Sequence, residues 1–167
     1  MKIANISAEI APFSKTGGLG EVTKALPVAL RQLGQEIISV TPLYHSIDRA
    51  VLDVGGVFSV AIGEQTIELA YWKKETSGGT VYFIEQQKYF TDPDSIYLTG
   101  FDNERFYMFC VAALELLKQI AFCPDIVQCH DWHTGLVPYL LKYRYAKDPF
   151  FKSTASVFKI QNIALQF

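Results

Sequence analysis

A loop with three glycines and one lysine is the first segment of this sequence whose residue types and spacing could support chemistry. It runs Ser14-Lys15-Thr16-Gly17-Gly18-Leu19-Gly20, between a short apolar stretch and a helical pattern. Free N–H groups at a helix start favour an anion such as phosphate, glycines allow close backbone approach, and Lys15 adds positive charge. The order of residues fits neither a Walker A loop nor G-x-G-x-x-G. Phosphate binding and an ordinary tight turn with an exposed lysine both remain open.

A second candidate site is the segment Cys129-His130-Asp131-Trp132-His133, which places a thiol, two imidazoles and a carboxylate side by side. A zinc ion needs three or four ligands, and no further ligand pair at suitable spacing occurs in the sequence, so we predict no metal. The pattern favours Asp131 and His130 facing a polar ligand, with Trp132 packed beside it. The alternative is that Asp131 caps the following helix and both histidines satisfy loop carbonyls.

The elements that position these two segments follow an α/β pattern. Apolar runs predict strands, and apolar residues at helical spacing predict helices, with Asp102 or Asn103 as the N-cap of the longest. Three runs in the middle of the chain predict a β-hairpin region inserted into a Rossmann-like, doubly wound, mostly parallel sheet. Such sheets bind ligands outside the carboxyl ends of their strands, where both candidate segments lie. The predicted strands are 3–7, 37–40, 57–62, 67–72, 81–84, 125–129 and 153–160. The first predicted helix has a kink at Pro27, and its apolar residues are Val22, Leu26, Ala29, Leu30 and Leu33.

Composition sets the class of protein and of partner. The 167 residues carry a net charge of −2, half of them are hydrophobic, and no run of Lys or Arg occurs. These values predict one globular domain and argue against nucleic acid or an anionic membrane as partner. Three cysteines without C-x-x-C spacing predict no disulfide framework and a reducing cytoplasm, and no apolar window approaches the roughly 18 residues of a membrane helix. The expected partner is a small molecule or a neutral polymer.

Five segments occur in the order and at the approximate spacing of one known family. They are Ser7-Ala8-Glu9-Ile10-Ala11-Pro12, Lys15-Thr16-Gly17-Gly18-Leu19-Gly20-Glu21-Val22, Val40-Thr41-Pro42-Leu43-Tyr44, Asp102-Asn103-Glu104-Arg105-Phe106 and His130-Asp131-Trp132-His133-Thr134-Gly135-Leu136. The second resembles the K-T-G-G-L-x-[DE]-V signature of bacterial glycogen synthases and plant starch synthases. Together the segments cover essentially the whole chain, so the resemblance is specific.

The resemblance implies a retaining glycosyltransferase of the GT-B type, made of two Rossmann-like domains with the active site between them. Such an enzyme would transfer glucose from ADP-glucose to the non-reducing end of an α-1,4-glucan, without a cofactor. In the family, the lysine and glycines of the loop lie at the donor diphosphate, the HDWH carboxylate faces the sugars, and a tyrosine that loosely matches Tyr97 contacts the glucan. We therefore predict catalytic roles for Asp131 and Gln161, and substrate contacts for Lys15, Gly17, Gly18, Tyr97, His130 and Asn162.

The sequence departs from the family in two respects. The H-N-[IL] motif, whose histidine lies against the donor glucose, stands here as Gln161-Asn162-Ile163. Glutamine donates and accepts hydrogen bonds but cannot carry a proton charge as histidine can. The second departure is length: residues 1–167 would be a truncated N-terminal, acceptor-side domain without the C-terminal, donor-binding domain. We expect this chain alone to be inactive, and the enzyme to work in the cytoplasm, or in the plastid of a plant.

Two other functions remain in view. A synthase-like module that binds glucan without catalysis would fit Gln161 and the missing half. A nucleotide-dependent oxidoreductase fits less well, because the dinucleotide fingerprint fails and no acidic residue ends the second strand at Ser39-Val40-Thr41.

Overall fold

The computed structural model describes residues 1–162, which form one seven-stranded sheet with three helices of eight residues or more. Ile163, the last residue of the Gln161-Asn162-Ile163 motif, lies outside the described residues. The strands are β1 (Lys2–Ile6), β2 (Glu36–Pro42), β3 (Asp53–Ile62), β4 (Gln65–Thr76), β5 (Gly79–Glu85), β6 (Ile126–His130) and β7 (Ala155–Lys159), and the helices are α1 (Gly18–Gln32), α2 (Asp102–Gln119) and α3 (Leu136–Tyr143).

The sheet has the strand order β3-β4-β5-β2-β1-β6-β7, so β1 lies near its centre. Ile3 of β1 is opposite Ile37 of β2 on one side and Ile126 of β6 on the other, and both pairings are parallel. The chain first extends the sheet on the β2 side and later crosses to the β6 side. The loops that follow β1 and β6 therefore leave the same edge side by side, at a topological switch point. The predicted doubly wound, mostly parallel sheet is confirmed.

The central strands form because their residues suit a sheet that is covered on both faces. Beyond their first residue, β1 and β2 are buried throughout and rich in isoleucine and valine, as parallel strands require. The polar exceptions are Asn5, Ser39 and Thr41, and the first two are paired: the Asn5 Nδ2 donates to Ser39 Oγ at 3.2 Å. A buried polar pair of this kind costs little because its hydrogen bond is made.

The predicted hairpin region is part of the main sheet. Strands β3, β4 and β5 form an antiparallel meander, as the three apolar runs predict. However, β5 also pairs in parallel with β2, with Ser39 opposite Val81, so the meander extends the sheet at one edge. The insertion therefore widens the Rossmann-like sheet on the side away from β6.

Helix α1 buries a different face from the one that its apolar residues predict. Val22 and Leu33 are 38% and 74% exposed. The helix begins at Gly18, earlier than predicted, and passes so close to the loop after β1 that a Cβ on Gly20 would lie 3.0 Å from the Ser14 carbonyl oxygen. Only a small residue fits at this approach, and of the predicted apolar face Val22 turns outward while Leu26 and Leu30 are only partly buried. The buried residues of α1 are Leu19, Gly20, Thr23 and Pro27.

Helix α2 is the core helix, with eleven of its 18 residues buried. The prediction that Asp102 or Asn103 is its N-cap is wrong: Phe101 occupies that position, and no side chain caps this end. Asp102 is instead the first helical residue, and its carboxylate accepts hydrogen bonds from the loop before it. Within residues 1–162, no helix is both long and apolar enough to cross a membrane.

Adding one methyl group at Gly79, the first residue of β5, should strongly reduce the stability of the fold. Gly79 has a φ of 99°, and a Cβ there would lie 2.2 Å from the carbonyl oxygen of Ile37 on β2. We expect Gly79→Ala to lower the free energy of unfolding by about 3 kcal/mol or more, because backbone strain and a backbone clash add. Gly63, with a φ of 60° and nothing within 4 Å, is the matched control. Gly63→Ala should cost only about 1 kcal/mol in urea unfolding, and equal losses at the two positions would contradict this packing.

Candidate functional site

The candidate site lies at the carboxyl edge of the sheet, where four loops meet. They follow β1, β6 and β7 and precede α2. These loops, with His130 at the end of β6 and Gly18 at the start of α1, carry all the residues that the sequence predicts for the site. Contacts between the loops, described below, connect them into one group.

The glycine loop leaves the start of α1 open. Gly17 is the N-cap in an extended conformation, and no side chain caps this helix end. Gly17 and Gly18 are exposed, and a Cβ at either position would meet nothing within 4 Å. The first-turn N–H groups of a helix have no partner within the helix and lie at its positive end, so this terminus suits an anion.

Lys15 lies beside this helix end and is partnered. Its Nζ is 2.8 Å from Glu21 Oε1, and both side chains are about half exposed. The hydrogen bond and the charge of Lys15 lower the pKa of Glu21 below its ordinary value. Because an exposed ion pair of this type is weak, an incoming anion could draw Lys15 away from Glu21 at little cost.

Glu9 is a functional residue that our sequence-based reasoning missed. Its side chain is 2% exposed, and its carboxylate accepts hydrogen bonds from Thr16 N at 2.7 Å, from Thr16 Oγ1 at 2.7 Å and from Gly17 N at 3.4 Å. A fourth donor is the Tyr97 hydroxyl, from a loop 88 residues further along the chain. Glu9 therefore fixes the shape of the glycine loop and ties it to the loop before α2. The available signal was a lone acidic residue between apolar ones in Ala8-Glu9-Ile10.

Tyr97 belongs to a stack of rings. It lies on His133 with ring centroids 4.6 Å apart and planes inclined by 27°, and His133 lies on Trp132 at 4.2 Å. Burial raises the pKa of the Tyr97 hydroxyl well above its ordinary value, so it stays protonated and donates to Glu9. Burial lowers the pKa of His133 to about 4, so its ring is neutral at pH 7. His133, also absent from the predicted site, is thus a buried, uncharged ring that supports Tyr97.

The backbone of Asp131 has a conformation that residues other than glycine rarely adopt. Its φ and ψ are 55° and −179°, a strained combination of the kind that concentrates at functional sites. The carboxylate is 4% exposed and accepts hydrogen bonds from Gln161 N at 2.6 Å and Asn162 N at 3.2 Å. The alternative in which Asp131 caps the following helix is wrong, because its side chain makes no capping bond there. Asp131 holds the segment after β7 instead.

His130 is buried and connects the core to Gln161. Its Nε2 lies 2.7 Å from Asn5 Oδ1, and the Nε2 of Gln161 lies 3.3 Å from His130 Nδ1. Burial lowers the pKa of His130 to about 4, so the ring is neutral. Because the Asn5 amide nitrogen already donates to Ser39, its oxygen faces the histidine. His130 then donates from Nε2 to Asn5 and accepts at Nδ1 from Gln161. This hydrogen bond fixes the orientation of the exposed Gln161 amide.

A proline in α1 contributes to this arrangement. Pro27 has no N–H, so the carbonyl of Thr23 four residues earlier loses its helical donor. That carbonyl oxygen accepts from Asn5 Nδ2 at 3.4 Å. The second donor position of Asn5 is thereby occupied, and its orientation toward His130 is fixed. The helix continues through Pro27 to Gln32, and the predicted kink stays a prediction.

The cysteines do not contribute reactive thiols to the site. Burial raises the pKa of Cys110 to about 12 and that of Cys129 further, so both remain protonated. In the part of the chain that the structure describes, no group of three or more His, Cys, Asp and Glu residues could hold a metal ion.

The four donors around Glu9 predict the effect of removing its charge. An amide at this position presents an NH₂ group to donors, so Glu9→Gln leaves at least one buried donor unsatisfied. We expect it to lower the free energy of unfolding by about 2 kcal/mol in urea. Glu21→Gln, which breaks an exposed pair, is the control and should change little. A Glu9→Gln protein as stable as the original would show that the carboxylate does not hold these loops.

The two buried histidines predict a pH dependence of stability. Their pKa values of about 4 lie below the value of about 6.5 for an unfolded histidine. Between these pH values the unfolded chain binds more protons than the folded chain. The free energy of unfolding therefore falls as the pH drops from about 6.5 to about 4. His133→Gln should flatten this slope in urea unfolding at several pH values, whereas the exposed His45→Gln should not. Equal slopes in the two variants would contradict the neutral, buried state of His133.

Comparison with known proteins places this geometry in a family. Residues 2–167 match the family model described as the starch synthase catalytic domain. Glycogen synthase 2 of Geobacter sulfurreducens is 38% identical over 99% of this chain and 36% of its own length. A glycogen synthase of Aeromonas hydrophila is 40% identical over the same shares. The chain thus spans 36% of the length of these curated relatives.

A solved structure agrees with the sequence relatives. The catalytic domain of starch synthase IV from Arabidopsis thaliana, bound to ADP and acarbose, matches with a TM-score of 0.88 and 32% identity. The match covers 96% of this chain and 34% of that one. Since relatedness in sequence and in fold extends along essentially its whole length, this chain belongs to the starch synthase catalytic domain family.

Proposed function

We propose that this chain forms the acceptor-side half of the active site of a retaining glucosyltransferase, which transfers glucose from ADP-glucose to the non-reducing end of an α-1,4-glucan. One observation carries the proposal: several groups that suit a sugar nucleotide lie together at one edge of the sheet. They are the open start of α1 with Lys15, the carboxylate of Asp131, the amide of Gln161 and the ring stack at Tyr97. The ADP and acarbose bound to the Arabidopsis relative support an adenine nucleotide and a saccharide as ligands.

The donor side of the reaction falls to the glycine loop. During transfer, the bond between the anomeric carbon and the diphosphate oxygen breaks, and its electron pair leaves on the diphosphate. Lys15 and the first-turn amides near Gly17 and Gly18 would stabilise that charge as it develops. Lys15 must exchange Glu21 for the diphosphate, which its exposed ion pair permits.

The sugar side falls to the segments after β6 and β7. The acceptor hydroxyl forms the new bond to the anomeric carbon and gives its proton to the departing diphosphate oxygen. Asp131 and Gln161 would lie at the transferred glucose, with Asn162 beside them, and the fixed amide of Gln161 would bind a sugar hydroxyl. His130, buried behind Gln161, would act through it. Ring faces pack against the apolar faces of sugars, so Tyr97, supported from behind by the buried His133, would line the glucan subsite.

A second domain outside this chain would complete the enzyme. The chain spans 36% of the length of its curated relatives, which supports a donor-binding partner domain of the same protein. The ring stack and the open end of α1 lie at the sheet edge, where such a domain could close over them. We propose that residues 1–167 alone bind glucan weakly and do not catalyse transfer.

The test is glucosyl transfer by the full-length product of the gene. We expect incorporation of labelled glucose into glycogen from ADP-glucose in preference to UDP-glucose, and a loss of about 100-fold in kcat for Lys15→Ala. Lys24→Ala, which removes an exposed lysine from α1 itself, is the matched control and should retain activity. Equal activity in the two variants would remove Lys15 from the mechanism.

A glucan-binding module without catalysis is the second candidate, favoured by Gln161 in place of histidine. It predicts retention of the full-length protein on a glucan column with no transfer from any nucleotide sugar. Gln161→His then separates the two functions. Activity gained by this variant alone would show that a histidine is essential at this position, whereas transfer by the unchanged protein would exclude the non-catalytic candidate.

A further inference from the structure

The start of α2 carries a pair of charged residues for which the proposed function gives no role. Asp102 accepts hydrogen bonds on its carboxylate from Leu98 N at 2.7 Å, Thr99 N at 3.3 Å and Thr99 Oγ1 at 2.6 Å. All three donors belong to the loop that precedes the helix. The Asp102 carboxylate therefore holds that loop against the N-terminus of α2.

Arg105 supports Asp102 from inside the core. Its side chain is fully buried, and its Nη1 lies 3.5 Å from both Asp102 Oδ1 and the carbonyl oxygen of Ser95. Its Nε and Nη2 have no hydrogen-bond acceptor among the described residues. The guanidinium lies instead over three aromatic rings, at 5.2 to 5.7 Å from their centroids, which offsets part of its burial cost. The rings belong to Tyr44, Phe90 and Phe106.

A buried guanidinium needs an ionised partner, and Asp102 meets that need. Burial alone would raise the pKa of Asp102, but hydrogen bonds from Thr99 and Leu98 and the charge of Arg105 together lower it. The same carboxylate thus compensates Arg105 and holds the loop. Removing its charge would weaken both contacts at once.

The loop between these anchors is held in a conformation that it would not adopt alone. Leu98 has a φ of 63°, which is strained for a branched side chain, and that side chain is 94% exposed, so burial does not offset the strain. Ser95 Oγ donates to the carbonyl oxygen of Tyr97 at 2.6 Å. Tyr97 lies between the two fastened points, and its hydroxyl and ring reach Glu9 and His133.

We propose that Asp102 and Arg105 are positioning residues that set the glucan subsite, by holding the loop at 95–99 so that Tyr97 stays stacked on His133 and bonded to Glu9. They act on the acceptor through Tyr97. Glu9 keeps its three hydrogen bonds from the glycine loop when Tyr97 moves, so the donor side changes little. The proposal rests on the proposed function only for the identity of the ligand that meets Tyr97.

The kinetic test uses the full-length gene product with maltohexaose as acceptor. Asp102→Asn should raise the KM for maltohexaose about tenfold, with kcat and the KM for ADP-glucose within about twofold. Thr99→Val, which removes one donor at nearly constant shape, should raise the same KM about threefold, and Thr99→Ser should restore it. Asn103→Ala, an exposed change on the same turn, is the control.

If Asp102→Asn does not fold, the Thr99 pair carries the test. A purely structural role would lower the melting temperature and leave the acceptor KM of the folded variants unchanged, and that result would overturn the proposal. Changes of equal size in the two KM values would overturn it as well.

A fluorescence measurement separates this proposal from the proposed function. In a Trp72→Phe background, Trp132 reports on the stack with His133 and Tyr97. Thr99→Val and Asp102→Asn should increase quenching of Trp132 by acrylamide in the 167-residue chain, whereas Thr99→Ser and Asn103→Ala should not. An unchanged Trp132 would overturn the positioning role. Increased quenching without any glucosyl transfer by the full-length protein would support the positioning role and count only against the proposed function.

Discussion

The arrangement of the site depends on one buried carboxylate. Glu9 follows the central strand β1 and accepts four hydrogen bonds, three from the glycine loop and one from Tyr97. A charge inside the protein requires that its hydrogen-bond donors stay in place. The requirement to satisfy Glu9 therefore brings the anion-binding end of α1 and the ring stack to a fixed distance, although they lie far apart in sequence.

The core imposes a second constraint on the same edge of the sheet. Pro27 leaves the Thr23 carbonyl without a helical donor, and Asn5 donates to it and to Ser39. These bonds orient Asn5 toward His130, which in turn binds Gln161. The orientation of a surface amide is thus determined by residues inside the sheet. Both sides of the site, at Tyr97 and at Gln161, are built by buried polar groups that have few alternative partners.

The sequence predicted what depends on local pattern and missed what depends on tertiary contact. Apolar runs located every strand, and glycine spacing located the open end of α1. Local pattern misassigned the buried face of α1, because the closeness of Gly20 to the Ser14 carbonyl decides which side chains fit. Local pattern also predicted Asp102 as a helix N-cap, whereas its carboxylate accepts hydrogen bonds from the preceding loop. Glu9 and His133 were missed because their roles arise from partners 88 and 36 residues away.

We propose that one sheet edge holds the diphosphate and the glucan together. The most direct measurement is a crystal structure of the full-length gene product with ADP and maltohexaose. We expect the diphosphate within hydrogen-bonding distance of Lys15 and the first turn of α1, the terminal glucose beside Asp131 and Gln161, and the next sugars against Tyr97. A diphosphate away from α1, or a glucan bound only at another face of this domain, would contradict it.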